Sequence, residues 1–244
     1  MTKIISICSG KGGVGKTLIA ANLGAMLHRL NKSVVIIDFN LTTSHLGLSL
    51  GIYSPNRTIN NFLRNEAKLE DAIYLHSSGL RIVPASLELN DLNNIETEGL
   101  KEKIKDAFKG YDFVLLDSAP GIGREALIAL KACDEAIFVA TPHVTSVVDV
   151  LKMKNLSSIL GFQNVGIVLN RVQRKKYELS DQDVFRFTEL PVIASIAEDE
   201  KIMECTNSRS LSVLSYPRSA SSKAFFYLAH RVAGLPVYNY GSWR

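Results

Sequence analysis

Short runs rich in Ile, Val, Leu and Phe recur along the chain at residues 3–8, 33–38, 80–84, 113–117, 136–140, 165–170 and 192–195. Each is nearly continuous in apolar residues, the pattern of a strand covered on both faces rather than one with a wet side. Stretches of helical length lie between them, at 16–31, 99–108, 124–132, 144–160, 198–207 and 220–232. Strand and helix alternating in this way predict an α/β fold. It is a mostly parallel, twisted sheet of about seven or eight strands with helices on both faces. No repeat, Pro-rich stretch or low-complexity segment interrupts the alternation. Residues 1–233 therefore read as one domain and 234–244 as a C-terminal tail.

A chain of 244 residues can bury a large core without disulfide or metal staples. Hydrophobic residues at 46% and charged residues at 21% belong to a soluble globular protein, not to a disordered one. No apolar run approaches the ~20 residues that a membrane-spanning helix needs. Lys11 and Lys16 break the apolar N-terminal stretch, so the N-terminus does not read as a secretory leader. Cys8, Cys133 and Cys205 are odd in number and form no Cys-x-x-Cys pair, which argues for buried thiols in a reducing cytoplasm. The net charge of +4 fits nucleic acid, an anionic membrane or neither.

Ligands of such sheets gather at the carboxyl ends of the strands, so unusual polar residues are expected there. Gly10–Thr17 follows the first strand, Asp38 and Asn40 end the second, Asp117 ends the fourth and Asn170 the sixth. Gly10-Lys11-Gly12-Gly13-Val14-Gly15-Lys16-Thr17 matches G-x-x-x-x-G-K-[ST] between a strand and a helix, the context that separates a phosphate loop from a chance Gly-rich turn. Its glycines let backbone N–H groups curl round phosphate oxygens. Lys16 can reach the β- and γ-phosphates and Thr17 can place its hydroxyl on Mg²⁺, while the helix N-terminus faces the same anion. A carboxylate on the magnesium side is required on a neighbouring strand, and Asp117 fills that position. The next residues, 118–123, form a candidate switch. The nucleotide-binding set is therefore Gly10, Lys11, Gly12, Gly13, Val14, Gly15, Lys16, Thr17 and the adjoining Leu18.

The second lysine early in the loop, Lys11, makes the motif resemble the deviant Walker A ATPases of the MinD/ParA group of P-loop NTPases. Further landmarks are similar to that family: Asp38-Phe39-Asn40 after the second strand, Asp117-Ser118-Ala119-Pro120-Gly121, Thr141-Pro142 with Ser146 and Asp149, and Asn170-Arg171 at the nucleotide-base loop. Ile196-Ala197-Glu198-Asp199 resembles the I-P-E-D segment, with Ala197 where proline is usual. The resemblance implies ATP and Mg²⁺ as cofactors and a face-to-face homodimer formed on ATP. In that dimer Lys11 reaches the phosphates bound by the other subunit, neutralising charge as a finger in trans does. It also implies catalytic roles for Lys11, Lys16, Asp38 and Asn40, a metal set of Thr17, Asp38 and Asp117, and base contacts from Asn170 and Arg171.

One departure matters. The family usually ends its second strand D-x-D, whereas this chain has Asp38 and Asn40. An amide orients water but cannot take a proton as a carboxylate can. Hydrolysis is expected to be slow or dependent on a protein activator. At the base, Asn170-Arg171-Val172-Gln173 lacks the aspartate of N-K-x-D that would pair with guanine, which favours ATP over GTP.

Three functional classes compete at this stage. The wording of residues 38–43 and 196–201 most resembles archaeal MinD-like chains, switches that position a division site or surface apparatus. A ParA-like segregation ATPase would use a basic face on non-specific DNA; Arg171, Arg174, Lys175 and Lys176 form a basic run, although such runs are usually solvated. An iron–sulfur carrier would need cysteines converging at a dimer interface, which the spacing does not offer. The tail contains Pro236 and Gly241, with Arg244 as its one charge, so it cannot form the basic amphipathic helix that anchors bacterial MinD to lipid. Tyr238, Tyr240 and Trp243 remain candidates for a partner or interface. Direct membrane binding by that device is thus not expected, and whether a membrane or DNA is the surface used stays open. The protein is placed in the cytoplasm, reaching a membrane or pole through a partner. His45 and His143 lie near the site without metal-ligand spacing.

Overall fold

A computed structural model describes residues 2–88 and 95–236. In chain order the elements are β1 (Lys3–Cys8), α1 (Lys16–Arg29), β2 (Val34–Phe39), α2 (Leu46–Ser49), α3 (Ile59–Leu63), β3 (Tyr74–Leu75), β4 (Arg81–Val83) and α4 (Leu100–Ala107). There follow β5 (Phe113–Ser118), α5 (Arg124–Ala132), β6 (Glu135–Ala140), α6 (Val144–Lys154), α7 (Ser157–Leu160), β7 (Gln163–Val172), α8 (Asp181–Thr188), β8 (Val192–Ala197), α9 (Glu200–Asn207), α10 (Ser212–Ser215) and α11 (Ala220–Val232).

Among the described residues the strands form one eight-stranded sheet, ordered β3-β4-β2-β5-β1-β6-β7-β8. Every pairing is parallel except β3 with β4. Strand residues alternate between two cores. Ile4, Cys8, Val35, Ile37 and Leu116 face the side of α3 to α6 and α8, while Ile5, Ile7, Ile36 and Leu115 face the side of α1, α10 and α11. Helices on both faces explain the unbroken apolar strands. α1 packs so closely that a Cβ on Gly24 would come within 2.7 Å of the Ile36 side chain, which is why glycine is tolerated mid-helix.

Two expectations change. The two-residue edge strand β3 joins the seven foreseen runs. The segment expected as one helix at 144–160 divides into α6 and α7, because the backbone tightens there: Leu156 N–H bonds Met153 O at 3.0 Å, an i→i+3 turn. Among the described residues no helix is long and apolar enough to cross a membrane. Residues 237–244, with Tyr238, Tyr240, Gly241, Trp243 and Arg244, lie outside the described part.

Candidate functional site

β1 lies at the centre of the sheet between β5 and β6, so the loop leaving its carboxyl end opens at the topological switch point. That loop carries Gly13 at φ 75° and Gly15 at φ 99°, conformations that only glycine adopts without strain. It is held from three sides. Ser9 Oγ donates to Lys11 O at 2.6 Å, and Gly121 N–H of the loop after β5 donates to Ser9 O at 2.8 Å. Asn170 at the end of β7 donates from Nδ2 to Val14 O at 2.8 Å. Gly10 packs against α6 so tightly that a Cβ there would meet Asp149 at 2.2 Å.

Lys16 opens α1 and is buried. Burial pulls its ammonium below the usual lysine value, and the Asp117 carboxylate pulls the other way. Asp38 and Asp117 are paired across β2 and β5 in register, side by side at the strand ends. Their surroundings differ. Asp38 accepts from Asn40 N–H at 3.0 Å, Ser44 Oγ at 2.8 Å and Leu46 N–H at 3.2 Å, so it organises the loop that follows β2. Both carboxylate oxygens of Asp117 are buried and no hydrogen bond of normal geometry reaches them, although the Thr17 hydroxyl and the Lys16 ammonium lie near enough to favour the charged form. Burial raises the affinity of both carboxyls for a proton; the charge of Asp117 adds to this at Asp38, while the Thr17 hydroxyl and Lys16 oppose it at Asp117.

Orphaned carboxylate oxygens beside a buried ammonium are costly unless something compensates them. A hard dication with oxygen ligands fits that need, with Asp117 and Thr17 on the protein side and nucleotide phosphates supplying the rest. Asp38 accepts one donor at Oδ1 and two at Oδ2, which leaves Oδ1 with acceptor capacity for the metal side.

A cleft of about 770 Å³ runs from this corner along α1. Gly12, Gly13, Gly15, Lys16, Thr17, Asn40 and Pro120 line its polar end, and Leu18, Asn170, Arg171, Glu198, Asp199 and Ile202 line a second stretch. Most of the sequence-derived residues line this cleft, while Gly10, Val14, Asp38 and Asp117 are outside its lining, and three further points qualify the set. Lys11 is half-exposed and sits 3.9 Å from Asp149 Oδ2 in its own chain, outside the cleft lining. The Asn40 amide is folded onto Thr43, with Nδ2 donating to Thr43 O at 2.6 Å and Oδ1 accepting from Thr43 Oγ1 at 3.0 Å. Asn170 spends a hydrogen on the phosphate loop, so its first role is to brace that loop. His45 lines the cleft, while His143 stacks on Tyr177 with ring centroids 6.3 Å apart. The apolar wall of Leu48, Leu50, Met203 and Leu211 was not foreseen, because no motif marks it.

Fold and site together define a P-loop NTPase. The ParA family model, described as NUBPL iron-transfer P-loop NTPase, matches residues 1–233, and the chain belongs to that family. Within it the similarity runs to MinD. The chain is 34% identical to the septum site-determining protein MinD of Pyrococcus horikoshii, solved in complex with Mg-ADP, with a TM-score of 0.89 covering 95% of this chain and 96% of that one. The cell division ATPase MinD of Pyrococcus furiosus is 33% identical, with a TM-score of 0.90 over 97% of this chain and 100% of that one. An uncharacterized ATP-binding protein of Methanocaldococcus jannaschii is 32% identical over 236 residues, 96% of this chain and 89% of the relative.

Proposed function

We propose that this chain is an ATP-driven switch of the MinD type. It binds ATP with Mg²⁺ in the cleft, hydrolyses it slowly, and dimerises in the ATP state to position a cellular apparatus such as a division site. The observation that carries this is the orphaned Asp117 carboxylate beside Lys16 and Thr17, at the mouth of a loop shaped for phosphate. The Mg-ADP held by the Pyrococcus horikoshii relative supports the same cofactor pair here. The metal supplies charge neutralisation at the phosphates when bound. The chain's own residues do the remainder: backbone N–H groups of residues 12–17 hold the phosphates, and Lys16 neutralises them. Arg171 and Glu198 flank the base end. Asn40 leaves water without a carboxylate base, so turnover is slow or raised by a protein activator.

The iron-transfer wording of the family description draws no support from this chain. Cys8, Cys133 and Cys205 are all buried on separate elements, whereas a cluster shared between subunits needs thiolates at a surface. DNA binding of the ParA kind is also disfavoured. Glu178 accepts from Gln173 N–H and Lys175 N–H within the basic run, and Asp181 and Asp183 follow it, diluting its charge.

Light scattering with no nucleotide, ADP, or ATP and Mg²⁺ tests the switch. A dimer with ATP alone is expected in the wild type. A wild type that remains monomeric with ATP and Mg²⁺ would sink the reading.

A further inference from the structure

The loop after β2 is a closed knot. Asp38 gathers Asn40, Ser44 and Leu46, and the Asn40 amide closes on Thr43. Apart from the bonds to Asp38 of β2, one hydrogen-bonded strut among the described residues leaves residues 40–44 for another element. Thr42 donates its N–H to Glu125 Oε2 at 3.3 Å and its hydroxyl to Glu125 Oε1. Glu125 stands in the first turn of α5, directly after the loop 118–123 that follows Asp117. A carboxylate there lies at the positive end of the helix, and charge-assisted bonds are the strong ones. The same loop 118–123 is tied to the phosphate loop through Gly121 N–H and Ser9 O.

We propose that Thr42 and Glu125 are a positioning pair, a latch that makes the loops after β2 and β5 move as one body over the phosphate end of the cleft. The proposal rests on the ATPase reading above. Asn40 and Pro120, one from each loop, both line that end. Water and metal held between two loops are well placed only if the loops keep a fixed separation, and preorganisation of this kind appears in turnover rather than in ground-state binding. Neither latch residue lines the cleft, so the affinity set by residues 12–17 is expected to be left alone.

The test uses the full chain with Glu125→Ala, Thr42→Val, Thr42→Ser and the double variant Thr42→Val/Glu125→Ala. Two readouts are needed: amide hydrogen exchange at Thr42 in nucleotide-free protein, and steady-state ATP turnover. Glu125→Ala is expected to speed exchange at Thr42 about three- to tenfold, the range for losing one such bond. It should lower kcat by a similar factor while KM for ATP stays within about twofold. Thr42→Val lowers kcat and Thr42→Ser restores it, because only the hydroxyl differs in role. The double variant is no worse than Glu125→Ala, since the two changes break one interaction. Unchanged exchange at Thr42 in Glu125→Ala, an effect confined to KM, or additive losses would each overturn the latch. A wild-type chain without ATP turnover overturns the proposed function instead, leaving the exchange signature to judge the latch on its own.

Discussion

Asn40 follows Asp38 by two residues, where the resemblance implies a second carboxylate, and the structure shows what holds its side chain. Its amide bonds Thr43 at both ends, which a carboxylate cannot reproduce because it has no donor for Thr43 O. Asn40→Asp is therefore expected to cost about 1 kcal/mol of stability. It also adds a third carboxylate near Asp38 and Asp117, and places a proton acceptor beside the phosphates. Phosphate release should rise several-fold; no rise would remove the argument that a missing carboxylate slows the chain. Gly15→Ala acts differently. A Cβ there lies 2.3 Å from Asn170 Nδ2 at a φ of 99°, so strain adds to loss of the Asn170–Val14 bond. A loss of roughly 2–3 kcal/mol and of ADP binding is expected, read from melting curves with and without nucleotide. The phosphate loop and Asp117 were legible in sequence because their spacing and strand context carry the chemistry. The Asn170 brace was not, since it spans 156 residues, and nothing local marks Glu125 as the anchor of a loop 83 residues earlier.

Element by element, the long apolar strands and amphipathic helices were readable, as was β4, and the other short pieces between β2 and α4 were not. α2 and α3 span four and five residues, too few for helical periodicity to show. β3 has two residues and pairs antiparallel at the edge, where packing demands little of its side chains. What fixes the long elements against each other is more specific than pattern. Asp134, at the start of β6, accepts from Ile4 N–H at 3.0 Å, Lys105 at 2.8 Å and Lys101 at 2.9 Å, joining β1, α4 and β6. Partial burial raises its carboxyl, but Lys105, the Ile4 N–H and Lys101 outweigh that and hold it below the ordinary carboxylate range. A lowered carboxyl contributes stability above its unfolded value of about 4, and that contribution is lost as pH falls through the folded value. Asp134→Asn should cost roughly 1–2 kcal/mol at pH 7, with the difference from wild type shrinking below about pH 4. Urea titrations from pH 7 to pH 3 measure it; a constant difference across that range would contradict the role.

Across the whole molecule, the site draws on residues from Gly12 to Leu211 and therefore on both halves of the sheet. Removing residues 237–244 should leave nucleotide binding and ATP-dependent dimerisation unchanged in light scattering, and any loss would assign the tail a part in the switch.

The central position of β1 carries a consequence for synthesis. Its neighbours are β5 and β6, whose first residues follow Lys3 by more than a hundred positions, and its loop is braced by Asn170. At ribosomal rates of roughly 5–20 residues per second, the strand made first waits about 5–20 s for its first partner. The brace from Asn170 is made later still. Nucleotide can therefore capture and stabilise the nascent chain only late in translation. Until then the apolar residues of β1 depend on local collapse or a chaperone for cover.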